Sequence, residues 1–204
     1  MSPKVTEEYK EKRRLEILEV AEKVFTEKGY EKTTMKDIVE ESGFSRGGVY
    51  QYFSSTEEMF RAIVKELDKR TDKQINDILS STTPIWIAVT NIVNSYRNQP
   101  DISFAAVQFE YTVTGWRESD RYNYTRDRSQ FFRDRFAEVI EEGVRRGEFK
   151  PLQPIQAIVD FTLNAQDGFL LWHQLLGEEN KKELEGQIDA LIFYLEGVLQ
   201  VDHH

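Results

Sequence analysis

The chain has 204 residues, a formal net charge of −9 and no cysteine. That length holds one domain or two small ones with a real core, and 39% hydrophobic with 31% charged residues is a globular rather than a disordered composition. The missing cysteine excludes disulfides, thiolate metal sites, CxxC redox chemistry and a cysteine nucleophile, and it fits a reducing, cytoplasmic setting.

The start of the chain is densely charged and lacks the apolar core of a signal peptide. The longest uncharged run, the 19 residues from Ile78 to Tyr96, contains Pro84 and several Ser, Thr and Asn, so it reads as a loop and a buried helix rather than a membrane span. Of three histidines, His203 and His204 close the chain. An encoded tail and the stub of an affinity tag both fit there; the tag is favoured and the pair is set aside. His173 then stands alone, expected as a core or interface residue, and no metal site, cofactor or histidine triad is expected. Charge is uneven: residues 1–53 sum to −1 and residues 54–204 to −8.

Helix-period apolar positions dominate throughout, which predicts an all-α fold of about nine helices. The first helix runs from about Glu8 to Lys28, with Leu15, Leu18, Ala21, Val24 and Phe25 on one stripe and Gly29 as a left-handed stop. Thr34, with Asp37 three residues on, opens a short second helix that Gly43 ends. Ser45 caps a third, through about Phe53, and Ser55 with Glu58 opens a fourth reaching about Leu79. Longer helices follow at about 85–97, 102–116 and 120–146, a breaker at 147–151, and helices at about 154–176 and 181–200.

Function is written most densely in residues 33–53. Two short helices joined by a glycine turn have helix-turn-helix geometry, whose second helix enters the major groove. That helix begins Ser45-Arg46-Gly47-Gly48. Each glycine in a helix costs about 1 kcal/mol against alanine, so two in one turn ask for a reason. Either an anion approaches exposed N–H groups, or one glycine packs tightly against another helix. Val49 and Phe53, four apart, are expected to face the core. That leaves Tyr50, Gln51 and Tyr52 to meet phosphates and base edges, or to serve as core-edge residues.

At this point the N-terminal fifty to sixty residues resemble the DNA-binding domain of the TetR family of transcriptional regulators. The resemblance rests on Arg14-Leu15-Glu16-Ile17-Leu18 through Ala21 and Phe25, Gly29-Tyr30, Thr33-Thr34-Met35-Lys36-Asp37-Ile38, the run from Ser42 to Phe53, and Glu57-Glu58-Met59-Phe60. Downstream, Glu142 to Phe149 resembles a family turn between two long helices. It implies a three-helix DNA-binding domain over residues 1–54 and a larger helical ligand-binding and dimerisation domain over 55–204. It also implies a homodimer on double-stranded operator DNA, usually responsive to a small-molecule inducer. Carried over residue by residue, Thr34 and Tyr52 hold phosphates and Ser45 caps the recognition helix. Arg46, Gly47, Gly48, Tyr50 and Gln51 approach bases or adjacent backbone, with Lys36 among the supporting cations. Two departures stand out. Ser54-Ser55-Thr56 occupies the place where the family often has a lysine, and Gln51 the place of a frequent histidine. Lys12, Arg13 and Arg14 read equally as phosphate contacts or as an ordinary solvated helix end, and a moderate salt dependence is expected.

In the C-terminal part, aromatic side chains suggest a ligand cavity or plain core. The candidate lining is Trp86, Phe104, Phe109, Glu110, Trp116, Phe161, Asn164 and Asp167, and the carboxylates suggest a cationic lipophile as one option. Candidate dimer residues are Phe169, Trp172, Leu184, Ile188, Leu191 and Leu195, from two late helices suited to an intersubunit four-helix bundle or to intrachain core, with the last helix expected to serve both. The leading reading is a ligand-responsive repressor released by a small lipophilic molecule. An activator of the same architecture and a helical interaction module are the alternatives. A helical enzyme is disfavoured, because no phosphate loop, metal cluster or nucleophile motif is present.

Overall fold

The computed structural model describes residues 6–98, 103–176 and 181–202. His203, His204 and the side chain of His173 lie outside the described residues. Among those described, the chain is all-helical: α1 (Glu7–Lys28), α2 (Met35–Ser42), α3 (Arg46–Tyr50), α4 (Thr56–Ser80), α5 (Ile85–Ser95) with a 3-10 turn at Tyr96–Asn98, α6 (Ser103–Gly115), α7 (Ser119–Arg145), α8 (Ile155–Leu176) and α9 (Lys181–Leu199). None of these helices is long and apolar enough to cross a membrane. The chain divides into two compact units. One comprises Met1–Arg70 with Val107–Val113, and the other Thr71–Ala106 with Thr114–His204. The first reaches past the 54/55 boundary expected from sequence and takes in a segment of α6.

In the first unit, the short helices stand because their ends are closed by side chains. The Thr34 hydroxyl accepts from the Asp37 N–H while the Asp37 carboxylate accepts from the Thr34 N–H, a reciprocal capping box. The Ser45 hydroxyl accepts from the Gly48 N–H at 3.1 Å, and Ser55 accepts from the Glu58 N–H. The Glu58 carboxylate returns to the N–H and hydroxyl of Ser54, one residue earlier than a simple box. The core joins Leu18, Ala21, Val24 and Phe25 of α1 to Ile38, Val49, Phe53, Met59 and Phe60.

Three expectations shift. Leu15 is exposed and Ile17 takes its place in the core, because the stripe curves round α1. Gly29 has φ 82° but ψ 166°, a glycine-only extended conformation rather than a left-handed helical stop. Finally α3 closes at Tyr50, although a Phe53 N–H to Val49 carbonyl bond still seats Phe53 as expected.

In the second unit, α5, α7, α8 and α9 enclose one apolar core. Of the candidate dimer residues, Trp172 is exposed, and Phe169, Leu184, Ile188, Leu191 and Leu195 pack into the core of their own chain. They form the strongest apolar stripe of their helices, and the nearest core claims it.

The connection after α7 is built on a close approach. Phe149 folds back on Gly143, where a Cβ would lie 2.2 Å from the Phe149 ring, and Trp86 meets that ring edge-on at 6.5 Å. The Lys150 and Leu152 N–H groups donate to the Leu199 and Val198 carbonyls, and Asp202 N–H to the Glu148 carbonyl, which ties down the end of α9. Arg146 caps α4 by donating to the Leu79 and Thr83 carbonyls, each at 3.1 Å, while Glu142 holds its Nε. Gly143→Ala should therefore lower stability by about 1–3 kcal/mol through overpacking, despite alanine's better helix propensity. Chemical denaturation with an unchanged m-value checks it; equal or greater stability contradicts the packing account.

Candidate nucleic-acid interface and ligand cavity

Val49 and Phe53 anchor α3 from below, and the other side of the helix faces solvent. Ser45, Arg46, Gly47, Tyr50 and Gln51 are exposed, and Gly48 and Tyr52 half-buried. The two glycines differ in reason. A Cβ on Gly48 would stand 3.2 Å from its own cap, the Ser45 hydroxyl oxygen, so Gly48 serves the cap rather than packing against another helix. A Cβ on Gly47 would meet nothing within 4 Å, so packing within the chain leaves that position without a requirement for glycine. The Arg46 guanidinium lies 5.2 Å from the Tyr50 ring centre, a cation–π contact that holds it along the exposed face.

The neighbouring charges separate into bound and free. Arg13 sits between the Tyr9 and Phe44 rings at 5.3 and 5.0 Å and pairs with Glu16 at 2.8 Å. Arg14 lies over Phe53 and pairs with Glu11 and Glu66. Both are structural. Lys12 is exposed and has no ion pair to a described residue, and Lys36 has only a loose one to Glu40 at 3.6 Å. Thr34 is exposed, but its hydroxyl proton points to Asp37 at 2.7 Å. Lys28 beside Asp37, together with Thr34, holds that carboxyl far below the usual carboxylate range.

The residues expected around a ligand are dispersed. Glu110 accepts the N–H groups of Tyr30 and Glu31 at 2.8 and 3.2 Å, within the first unit. Phe109 is exposed, as is Trp116, which lies under Arg117 at 4.7 Å. Phe104 is buried, and Trp86 packs on Phe149. Phe161, Asn164 and Asp167 are exposed on α8, with Phe161 4.5 Å from the Tyr194 ring. Asp167 acts on Tyr96, whose hydroxyl is pushed up to about 12 by burial and then by that carboxylate.

None of them lines the cavity that the second unit does contain. This space of about 600 Å³, open mouth included, lies among Val89, Ile92 and Val93 of α5; Phe136, Val139 and Ile140 of α7; Val159, Thr162, Leu163 and Gln166 of α8; and Leu195 and Leu199 of α9. Its walls are mostly aliphatic, with Phe136 as the aromatic side chain, and no carboxylate lines it, which removes the basis for a cationic ligand. The sequence signal was a pair of polar residues, Thr162 and Gln166, one turn apart in the apolar stripe of α8.

Comparison with known proteins fits both units. Residues 17–63 match the family described as bacterial regulatory proteins, tetR family, and residues 89–184 match the tetracyclin repressor-like C-terminal domain. The HTH-type transcriptional regulator YfiR of Bacillus subtilis is 44% identical, with 99% of each chain covered. The chain belongs to the TetR family. It is thus a transcriptional regulator of the DNA-binding, helix-turn-helix type. The HTH-type transcriptional repressor KstR2 of Mycobacterium tuberculosis is 24% identical over 88% of this chain and 90% of its own. The structure of this ketosteroid transcriptional regulator superposes with a TM-score of 0.65 over 92% and 95% of the two chains. Salmonella enterica GusR, 20% identical, shares the fold with a TM-score of 0.77 over 97% and 99%.

Thr34→Ala removes one half of the capping box, and should destabilise the TetR-type head by about 1 kcal/mol. Amide hydrogen exchange across α2 checks it: protection should fall there, and unchanged protection would contradict the cap's importance.

Proposed function

We propose that this protein is a ligand-responsive transcriptional repressor, cytoplasmic, that binds a palindromic operator as a homodimer and is released by a small lipophilic molecule. The DNA-reading elements lie within residues 1–54, and the ligand and dimer surfaces within 55–204. One observation carries the DNA reading: Arg46, Gly47, Tyr50 and Gln51 stand exposed together on α3 while Val49 and Phe53 hold the helix down. Arg46 takes a guanine edge, Gln51 and Tyr50 meet neighbouring bases or backbone, and Thr34, Lys36, Gly48 and Tyr52 border the phosphates, with Ser45 as cap. Repression is favoured by a relative named a repressor, and a lipophilic effector by the aliphatic cavity. Ligand binding shifts the population of head spacings away from the one that fits two half-sites.

Dimerisation is assigned to the outward stripes of α8 and α9. Phe161, Gly168, Trp172 and Leu175 follow one side of α8, and Gly186, Ala190, Phe193 and Gly197 one side of α9. Phe193 is 79% exposed, the highest value among the exposed large hydrophobic residues. Small residues beside large ones let paired helices approach closely.

A gel shift with the DNA upstream of the protein's own gene tests the reading, and no retardation would overturn it. Arg46→Ala should cost about 1–3 kcal/mol of specific binding with the fold intact. Lys12→Ala should weaken all sequences alike and lower the salt slope by about one per head. For the dimer, sedimentation should show Phe193→Asp as a folded monomer and wild type as a dimer. A dimeric Phe193→Asp would move the interface elsewhere.

A further inference from the structure

We infer that the cavity of the second unit takes an uncharged lipophile bearing one hydrogen-bonding group, and that Gln166 holds that group. The inference rests on the ligand-responsive reading above and narrows its ligand class.

Ten of the twelve lining residues are apolar, and none is charged. Of the two polar ones, Thr162 has donated its proton to the Ile158 carbonyl at 2.7 Å, so it offers an incoming molecule only a lone pair. Gln166, half-buried one turn further along α8, makes no hydrogen bond to any described residue. Its amide brings both a donor and an acceptor to the lining of an otherwise apolar space. A ligand hydroxyl or carbonyl can exchange hydrogen bonds with it on binding.

Charged ligands are disfavoured by the same wall. An ion entering the cavity sheds its hydration and finds no counter-charge. Of the acidic groups on α8, Asp160 receives hydrogen bonds from Arg133 at 2.5 Å and Gln156 at 3.2 Å, and neither it nor Asp167 lines the cavity.

The test uses the full-length protein and two body shapes, linear (1-decanol) and fused-ring (2-decalol). Each alcohol is compared at pH 8 with its carboxylate and its ammonium analogue. Titration calorimetry and thermal shift read binding, and a gel shift on the operator fragment reads release. At least one alcohol should bind, raise the melting temperature and weaken the DNA complex, with both charged analogues at least tenfold weaker. Gln166→Leu should lose roughly threefold to tenfold in alcohol affinity, the worth of one neutral hydrogen bond, while leaving the affinity of decalin unchanged. Leu163→Trp, or Val89→Phe from α5, should fill the space and abolish alcohol binding in titration calorimetry. Charged analogues binding as well as the alcohol, or equal alcohol affinity in wild type and Gln166→Leu, would overturn the inference. So would a failure of both alcohols to bind a protein that still shifts the operator. A protein that does not shift the operator at all fails the regulator reading instead.

Discussion

Two backbone N–H groups left over at the end of α1 decide how the DNA-reading unit is held together. Those of Tyr30 and Glu31 both donate to one carboxylate, that of Glu110, some eighty residues away in sequence. Gly29 makes room, since a Cβ there would fall 2.7 Å from a Glu110 oxygen. The next residue, Tyr111, completes the aromatic core. Its ring stacks on Phe60 at 4.4 Å and meets Tyr30 edge-on at 4.8 Å, while its hydroxyl accepts from Arg61 and donates to Glu57. Hydrogen bonds to an ionised carboxylate exceed neutral ones in strength, and a unit of 77 residues has little core to spare. The head is therefore not a contiguous stretch of chain. Both α4 and α6 run past its residues without a break in the helix, so each belongs in part to both units.

The same economy governs the cations. An acidic protein that binds DNA must place a few positive charges well, yet Arg13 and Arg14 are spent on aromatic faces and carboxylates inside the head. Lys28 is likewise committed, to Asp37. Without it, the Asp37 carboxylate would stand uncompensated beside the start of α2, where it would repel a phosphate. The capping box and the ion pair are one device: the aspartate that nucleates α2 is neutralised by the last turn of α1.

Local chemistry was the legible part of the sequence. Caps at Thr34, Ser45 and Ser55 sit where a hydroxyl precedes a short helix, and Val49 with Phe53 had the right spacing to anchor α3, because these features depend only on neighbours a few residues apart. What failed required long-range knowledge. Glu110 looked like a ligand group because it lies among aromatics in sequence, whereas its partners come from residues 30 and 31. On α9, two stripes have the same period. The strong one, Leu184, Ile188, Leu191 and Leu195, fits a partner subunit or the intrachain core equally by sequence, and the intrachain core packs it. The stripe proposed for a second copy contains Gly186, Ala190 and Gly197, which carry little hydrophobic signal even though small residues suit a close helix pair.

This leaves α8 as the element on which the remaining functions converge. Its inward residues Val159, Leu163 and Gln166 wall the cavity, and its outward residues Phe161, Trp172 and Leu175 are exposed. A helix is stiff over this length, and a close-packed core moves between discrete arrangements rather than deforming freely. A molecule that enters between α5, α7, α8 and α9 must displace side chains on the inward face, and α8 cannot yield there without moving its outward face. Phe169, between the two, is buried and meets the Tyr96 ring edge-on at 6.3 Å, so that part of α8 is tied to the turn that ends α5. The physical basis for a response to ligand is thus one rigid helix with a cavity on one side and an exposed aromatic stripe on the other.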